Sequence, residues 1–292
     1  MKNILLTIAY DGSRFHGWQR QSSEVTVQGY LEQTFSRLFD RQIALSGTSR
    51  TDAGVHALGQ RASFQADLGI PTDRLCRVMN NALCGREEGS YALSPVRILE
   101  AREVPAEFHA RFDCVGKKYV YRICTAAEPD IFRRNYVYHV LQRQAGQSAG
   151  TAAQLLDLAA MKEGARQLIG EHDFKSFESA GGNPRETTVR TIFGADVKTA
   201  KELTEEEPAF ARRLGAGDDE LLFEISGDGF LYNMVRIITG TLVEIGLGKR
   251  EPQEMARIIE AKDRQAAGHT APPYGLYLAE VYYGDNLSGH QT

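Results

Sequence analysis

The sequence predicts an α+β protein made of two α/β-sandwich-like halves, each a mainly antiparallel sheet with helices packed on it, with an active-site cleft between them. Three observations lead there. Short strand-like runs alternate with amphipathic helical runs along the whole chain. The alternation lacks the strict βαβ order and the glycine fingerprint of a nucleotide-binding fold. The same mixture of strands and helices then recurs in the second half.

In the first half, residues 3–10 read as a strand. Residues 26–39 read as a helix with Val27, Leu31, Phe35, Leu38 and Phe39 on one face and Thr26 as N-cap. Residues 43–47 read as a strand. Beyond them Ala62, Phe64 and Ala66 alternate with Arg61, Ser63 and Gln65, the period of a half-buried strand. A second helix starts at Pro71 with Leu75, Val78, Met79, Ala82 and Leu83 inward. A strand at 96–104 closes this half.

In the second half, Tyr119, Tyr121 and Ile123 alternate with Lys118, Val120 and Arg122. A helix runs from about 152 to 169, ending at Gly170, with Leu155, Leu158, Leu168 and Ile169 available for packing. Strands follow at 187–198 and 220–227, an apolar helix at 230–246, a short helix from Pro252 and a closing strand at 276–283. The boundary is placed near Pro105–Cys114. The domains are thus 1–105, 106–285 and a tail of 286–292. Residues 143–151 and 199–219 read as mobile excursions.

With 292 residues, 42% hydrophobic and 25% charged, the chain has ordinary globular composition. The four cysteines occur singly, without a CxxC pair, so neither a zinc site nor a disulfide framework is expected, and the thiols should be reduced and mostly buried. Met1-Lys2-Asn3 leads directly into Ile4-Leu5-Leu6-Thr7-Ile8, too short for a signal peptide's apolar core, and no run reaches membrane-spanning length. A cytoplasmic protein with no membrane association is expected. The net charge of −4 argues mildly against a nucleic-acid partner, but the charge is segregated. Acidic residues crowd into 201–220, while Lys117, Lys118 and Arg122, Arg133 and Arg134, and Arg185 and Arg190 recur elsewhere. A globally acidic enzyme can still hold a basic cleft.

The segment Ser49-Arg50-Thr51-Asp52-Ala53-Gly54-Val55-His56-Ala57 sets a carboxylate beside an arginine and a glycine between two strands. An adjacent guanidinium favours the anion. Taken alone, a loop salt bridge with the Asp capping a turn explains such a segment better. Other segments add weight. Residues 10–21, YDGSRFHGWQRQ, place the sole tryptophan in a glycine-punctuated loop, which suits either an aromatic anchor or contact with unpaired RNA. FHARF at 108–112 precedes the basic KKYVYR strand. Phe230-Leu231-Tyr232-Asn233-Met234-Val235-Arg236 opens an apolar helix, where Arg236 needs a partner.

Together these segments resemble the tRNA pseudouridine synthase A family. YDGSRFHGWQRQ, SRTDAGVHALGQ, FHARF, KKYVYRI, SFESAG, TVRTI, FLYNMVRIITG and TAPPYGLYL stand in the family's order from residue 10 to residue 278. RTDAGVHA and FLYNMVR carry the resemblance, and the others are individually modest. Where the family often has Ala-Gly before Arg-Thr-Asp, this chain has Gly47-Thr48-Ser49, a departure that touches loop shape rather than the catalytic group.

The resemblance implies isomerisation of uridine to pseudouridine in the anticodon stem-loop of tRNA, at positions thirty-eight to forty. It implies Asp52 as the essential aspartate and Arg236 as its basic partner. Tyr119 would pack against the target uracil, Arg50 and Arg111 would face RNA, and Leu276 would be an apolar contact of the pocket wall. It also implies a homodimer with each tRNA spanning both subunits. The product is an isomer of the substrate, so no cofactor and no metal is expected. A carboxylate is needed as an anion, to attack covalently or to take a ribose proton. His56 is read as structural. A non-catalytic RNA-binding protein on the same scaffold is the alternative. A hydrolase using Asp52 with His56 is disfavoured, because no second acid, metal triad or phosphate loop accompanies them.

Overall fold

The structure, a computed structural model, describes residues 1–87, 90–124, 126, 128, 130–140, 156–181 and 186–284. The expected excursion at 143–151, the first residues of the helix expected from 152, Arg185 and the tail at 286–292 lie outside the described residues. The chain forms two compact units, residues 1–115 with those from Leu278 onward, and Gly116–Tyr277.

The first unit contains β1 (Lys2–Tyr10), α1 (Val27–Phe39), β2 (Ser46–Gly47), β3 (His56–Ala66), α2 (Thr72–Leu83), the hairpin strands β4 (Gly85–Glu87) and β5 (Ser90–Ala92), and β6 (Val96–Val104). β1 lies between β3 and β6, antiparallel to both, with Leu5 opposite Ser63 and Arg102. Its apolar run, interrupted by Thr7, is buried on both faces, with Leu5, Leu6 and Ile8 fully enclosed. α1 starts where expected, at a Thr26 hydroxyl that accepts from Gly29 N at 3.3 Å. Val27, Leu31 and Phe35 face inward, but Leu38 is exposed as the helix ends at Asp40 in the left-handed region, φ 49°.

The strand expected at 43–47 shortens to Ser46–Gly47, and side chains of α1 explain why. Glu32 Oε1 accepts from Leu45 N at 2.9 Å, and Gln28 Nε2 donates to the Leu45 carbonyl at 3.1 Å. The peptide groups a ladder would use are already taken. α2 begins one residue after Pro71 and is pinned to β6 by Asn80, whose amide bonds both Ile98 N and Ile98 O at 2.8 Å.

The second unit contains most of β7 (Cys114–Cys124), then β8 (Tyr138–His139), α3 (Leu158–Arg166), β9 (Gly170–Asp173), β10 (Val189–Thr199), α4 (Ala200–Glu206), α5 (Pro208–Leu214), β11 (Glu220–Gly227), α6 (Met234–Gly246) and α7 (Glu254–Ala261). β12 (Leu276–Tyr283) returns the chain to the first unit, beside β3. β11 lies between β7 and β10, antiparallel to both, and β8 adds one short parallel pairing to β7. The α+β class with mainly antiparallel strands is therefore what the chain adopts.

Along β7 both faces are covered: Tyr119, Val120, Tyr121, Arg122 and Ile123 are all buried. One expectation needs correction here: 199–219 is not a loose excursion. It folds into α4, with a Thr199–Glu202 capping box, and α5, which starts at Pro208. Its acids and those of β11 take up the basic residues around them. Glu202 bonds Lys162 at 2.9 Å, Glu206 bonds Lys198 at 2.6 Å, and Glu207 bonds Lys118 at 3.1 Å. Glu220 holds buried Arg122 in a two-pronged pair at 2.7 and 2.8 Å and also pairs with Arg133, which reaches Asp219 at 3.0 Å. The segregated charge read from the sequence is, in this unit, largely paired internally. None of the four cysteines forms a disulfide, but only Cys124 is buried.

Candidate active site

Asp52 lies at the tip of a turn between β2 and β3, half-buried, and its carbonyl accepts from Val55 N at 3.2 Å. The loop after β1 braces this turn from one side. Trp18 N donates to the Thr51 carbonyl at 3.1 Å, Gly54 N donates to the Phe15 carbonyl at 3.2 Å, and the Tyr10 and Thr51 hydroxyls meet at 2.7 Å, buried. From the other side, fully buried Gln60 donates to the Ser49 carbonyl at 2.7 Å and accepts from Ser49 N at 3.2 Å. Two glycines permit this interlacing. Gly17, at φ 84°, leaves no room for a Cβ beside the Thr51 carbonyl, and a Cβ on Gly12 would overlap the Val55 carbonyl. The backbone on either side of Asp52 is therefore held by buried groups, and Asp52 itself is half-buried.

His56 is 2% exposed, and its Nδ1 accepts from Gly12 N at 3.1 Å. The same atom lies 3.3 Å from Asp11 Oδ1. His56 is a structural clamp, as the sequence suggested. Trp18 is likewise an anchor: it is 1% exposed and packs on Gly47, where any Cβ would overlap the indole.

Arg50 is exposed on the Asp52 turn. Arg111 is exposed on a second turn of the same unit, and Thr48 ties the two turns together through its hydroxyl, 2.9 Å from the Ala110 carbonyl. Asp52, Arg50 and Arg111 thus belong to one connected stretch of the first unit.

Arg236, Tyr119 and Leu276 belong to the second unit. Arg236 is in the first turn of α6, half-buried, with Nε donating to the Ala271 carbonyl at 2.8 Å and Nη1 to Asn233 Oδ1 at 2.6 Å. Asn233 occupies the left-handed region, φ 61°, and donates to Ser179 Oγ at 3.1 Å. The Ala271 N–H returns a bond to the Arg236 carbonyl at 3.0 Å, so the arginine and the segment before β12 hold each other. Tyr119, 8% exposed, meets Phe230 edge-on with centroids 5.1 Å apart. Leu276 is buried and follows Gly275, whose Cα side faces the Tyr121 ring closely enough to bar a Cβ. Asn233, Phe230 and Gly17 position these groups although sequence reasoning assigned them no role. The only signal was their place in glycine- and aromatic-bearing motifs. Among the described residues, no group of three or more His, Cys, Asp or Glu side chains is arranged to hold a metal ion.

The family model described as tRNA pseudouridine synthase matches residues 6–113 and 165–284, which include the Asp52 turn, the 108–112 turn, the start of α6 and β12. The chain belongs to the tRNA pseudouridine synthase family. Curated synthases agree along nearly the whole length. The chain is 39% identical over 284 residues to a protein named tRNA pseudouridine synthase A 2 of Clostridium tetani, covering 97% of this chain and 99% of that one. It is 41% identical to the tRNA pseudouridine synthase A of Acetivibrio thermocellus over 97% and 100% of the two chains. It is 44% identical to that of Halalkalibacterium halodurans over 94% and 90%. In the synthase family setting, the half-buried Asp52 and the doubly bonded Arg236 are the groups that motif reading singled out. Tyr119 lies between the two matched stretches, outside both.

Proposed function

We propose that this chain isomerises uridine to pseudouridine in the anticodon stem-loop of tRNA, at positions thirty-eight to forty, with Asp52 as the reacting carboxylate. The observation that carries this is the Asp52 turn itself: buried, hydrogen-bonded backbone on both flanks of a half-buried aspartate, in a chain of the synthase family. The reaction breaks the bond from ribose C1′ to uracil N1, turns the ring, and forms the bond from C1′ to C5. The C5 proton is lost and N1 gains one, so substrate and product balance without any other reactant. Asp52 acts as an anion, either as nucleophile or as base toward the ribose. Arg236 is its cationic partner, favouring the charged form. Tyr119 supports the uracil once it has left its stack, a step that costs a few kcal/mol. Leu276 helps keep water from the detached ring. Arg50 and Arg111 attract the phosphate backbone. The protein works in the cytoplasm as a homodimer in which each tRNA spans both subunits.

The test is to incubate purified protein with unmodified tRNA and map pseudouridine in the product. Wild type should modify the anticodon arm, and Asp52→Ala should form none while still binding tRNA. Wild-type protein that binds tRNA but forms no pseudouridine would point to a non-catalytic RNA-binding protein. Turnover by Asp52→Ala would overturn the assignment of the carboxylate. Light scattering at working concentration tests the dimer.

A further inference from the structure

The turn at 108–113 ends on a phenylalanine that the fold holds outward. Two of its residues peg it into the first unit: Phe108 packs edge-on against Tyr283 at 5.1 Å, and fully buried Ala110 receives hydroxyls from Tyr283 and Thr48, each 2.9 Å from its carbonyl. Ala110 N donates to Ser63 Oγ at 3.0 Å, and Asn3 Nδ2 donates to the Phe108 carbonyl at 2.7 Å. With 108 and 110 inward, 109, 111 and 112 are turned to the surface. Phe112 is 74% exposed, yet it is not loose. Its N–H donates to the His109 carbonyl at 3.1 Å, and Asp113 closes the turn by accepting from His109 N at 2.8 Å. The His109 ring lies against the Phe112 ring, centroids 4.3 Å apart and planes 32° from parallel, and the Arg111 guanidinium carbon is 5.9 Å from the Phe112 centroid.

A ring held outward on a pinned turn presents an open face to a flat partner. A ring backed on one side by imidazole, with a cation beside it, suits a flat, electron-rich partner next to a phosphate. Thr48, which joins this turn to the Asp52 turn, connects the ring to the site already described. We propose that Phe112, stiffened by His109, is a stacking platform for an unpaired base of the tRNA substrate, with Arg111 on the adjoining phosphate. The proposal rests on tRNA being the substrate.

The test uses the full-length protein and unmodified tRNA. Phe112→Ala should weaken tRNA binding roughly ten-fold, the size expected for losing one stacked base, and leave turnover at saturating tRNA within about two-fold. Phe112→Trp should bind like wild type, and Phe112→Leu should bind like the alanine variant. The sole native tryptophan, Trp18, is buried, so the tryptophan introduced by Phe112→Trp reports directly: stacking should quench its fluorescence on adding tRNA. Arg111→Ala should flatten the salt dependence of binding by about one unit of slope, and Phe112→Ala should not change that slope. Unchanged affinity of Phe112→Ala, rescue by leucine as good as by tryptophan, or a change of oligomeric state that accounts for the loss would each overturn the platform. Wild-type protein that binds tRNA but makes no pseudouridine would instead sink the catalytic reading and leave the platform standing.

Discussion

Gly17 runs directly against the carbonyl of Thr51, in a left-handed conformation at φ 84° that leaves no space for a side chain. Thr51 precedes Asp52, so the loop after β1 fixes the backbone that carries the carboxylate. Gly17→Ala should destabilise the protein by about 1–3 kcal/mol through the strained dihedral alone, with the overlap adding to it. The melting temperature should drop by several degrees. Turnover should fall more than tRNA affinity, because the displaced group is Asp52. Scanning calorimetry and binding titrations on the same variant check both.

Arg236 is fixed by two separate bonds, to the Ala271 carbonyl and to Asn233. A lysine can place its charge nearby but cannot make both bonds in the guanidinium's planar geometry. Arg236→Lys should therefore lower kcat about 100-fold while the fold persists. If Arg236 works through Asp52, the loss should largely vanish when measured in an Asp52→Asn background, a non-additivity read from single-turnover rates. Additive losses would separate the two residues functionally.

Glu220 is the hub of the internal ion pairs of the second unit. It is completely enclosed and pairs with buried Arg122 and with Arg133. Glu220→Gln strands a buried cation, and about 3–5 kcal/mol of stability should be lost. Replacing Glu220 and Arg122 together by leucine and methionine should restore much of it. Urea unfolding measures the difference, and tRNA affinity should hardly move.

Two carboxylates foretell acid sensitivity. Burial pushes the Glu244 carboxyl up, but bonds from His269 and Arg250 outweigh it and leave it below its ordinary 4.5. Asp219 is likewise held below its ordinary 3.8, burial being overcome by bonds from Cys124 and Arg133. Their contribution is present above the unfolded values and is lost as pH falls through the lower folded ones. The stability gap between wild type and Glu244→Gln should be constant above about pH 5.5 and shrink steadily below about pH 4.5. A gap indifferent to pH in urea titrations would exclude this linkage.

Several of these features were legible in the residues and several were not. The Thr26 cap and the inward Val27, Leu31 and Phe35 of α1 follow from local rules, and α1 forms as those rules require. The strand at 43–47 failed because Glu32 and Gln28, 13 and 17 residues earlier, claim Leu45. No window on 43–47 contains that competition. The strand pattern of β7 does not say where its charges go: Lys118 and Arg122 meet glutamates from α5's N-terminus or β11, which leaves Arg122 buried and Lys118 half-buried. The acidic stretch at 199–219 looked solvated for the same reason, since charge composition does not say which opposite charge will lie alongside. Arg133, one of the basic residues that recur outside the acidic stretch, is paired with Asp219 and Glu220.

By itself the sequence determined the α+β class, the position of Asp52 in a turn between strands, and the family, because these depend on local periodicity and on motifs contiguous in the chain. Only the tertiary structure decided that Gly12, Gly17 and Gln60 hold the Asp52 backbone, that Asn233 and Ala271 hold Arg236, and that Phe112 stands out on a pinned turn. Those relationships join residues far apart in the chain through single hydrogen bonds and close backbone approaches. Their energies exist only once the intervening segments have folded.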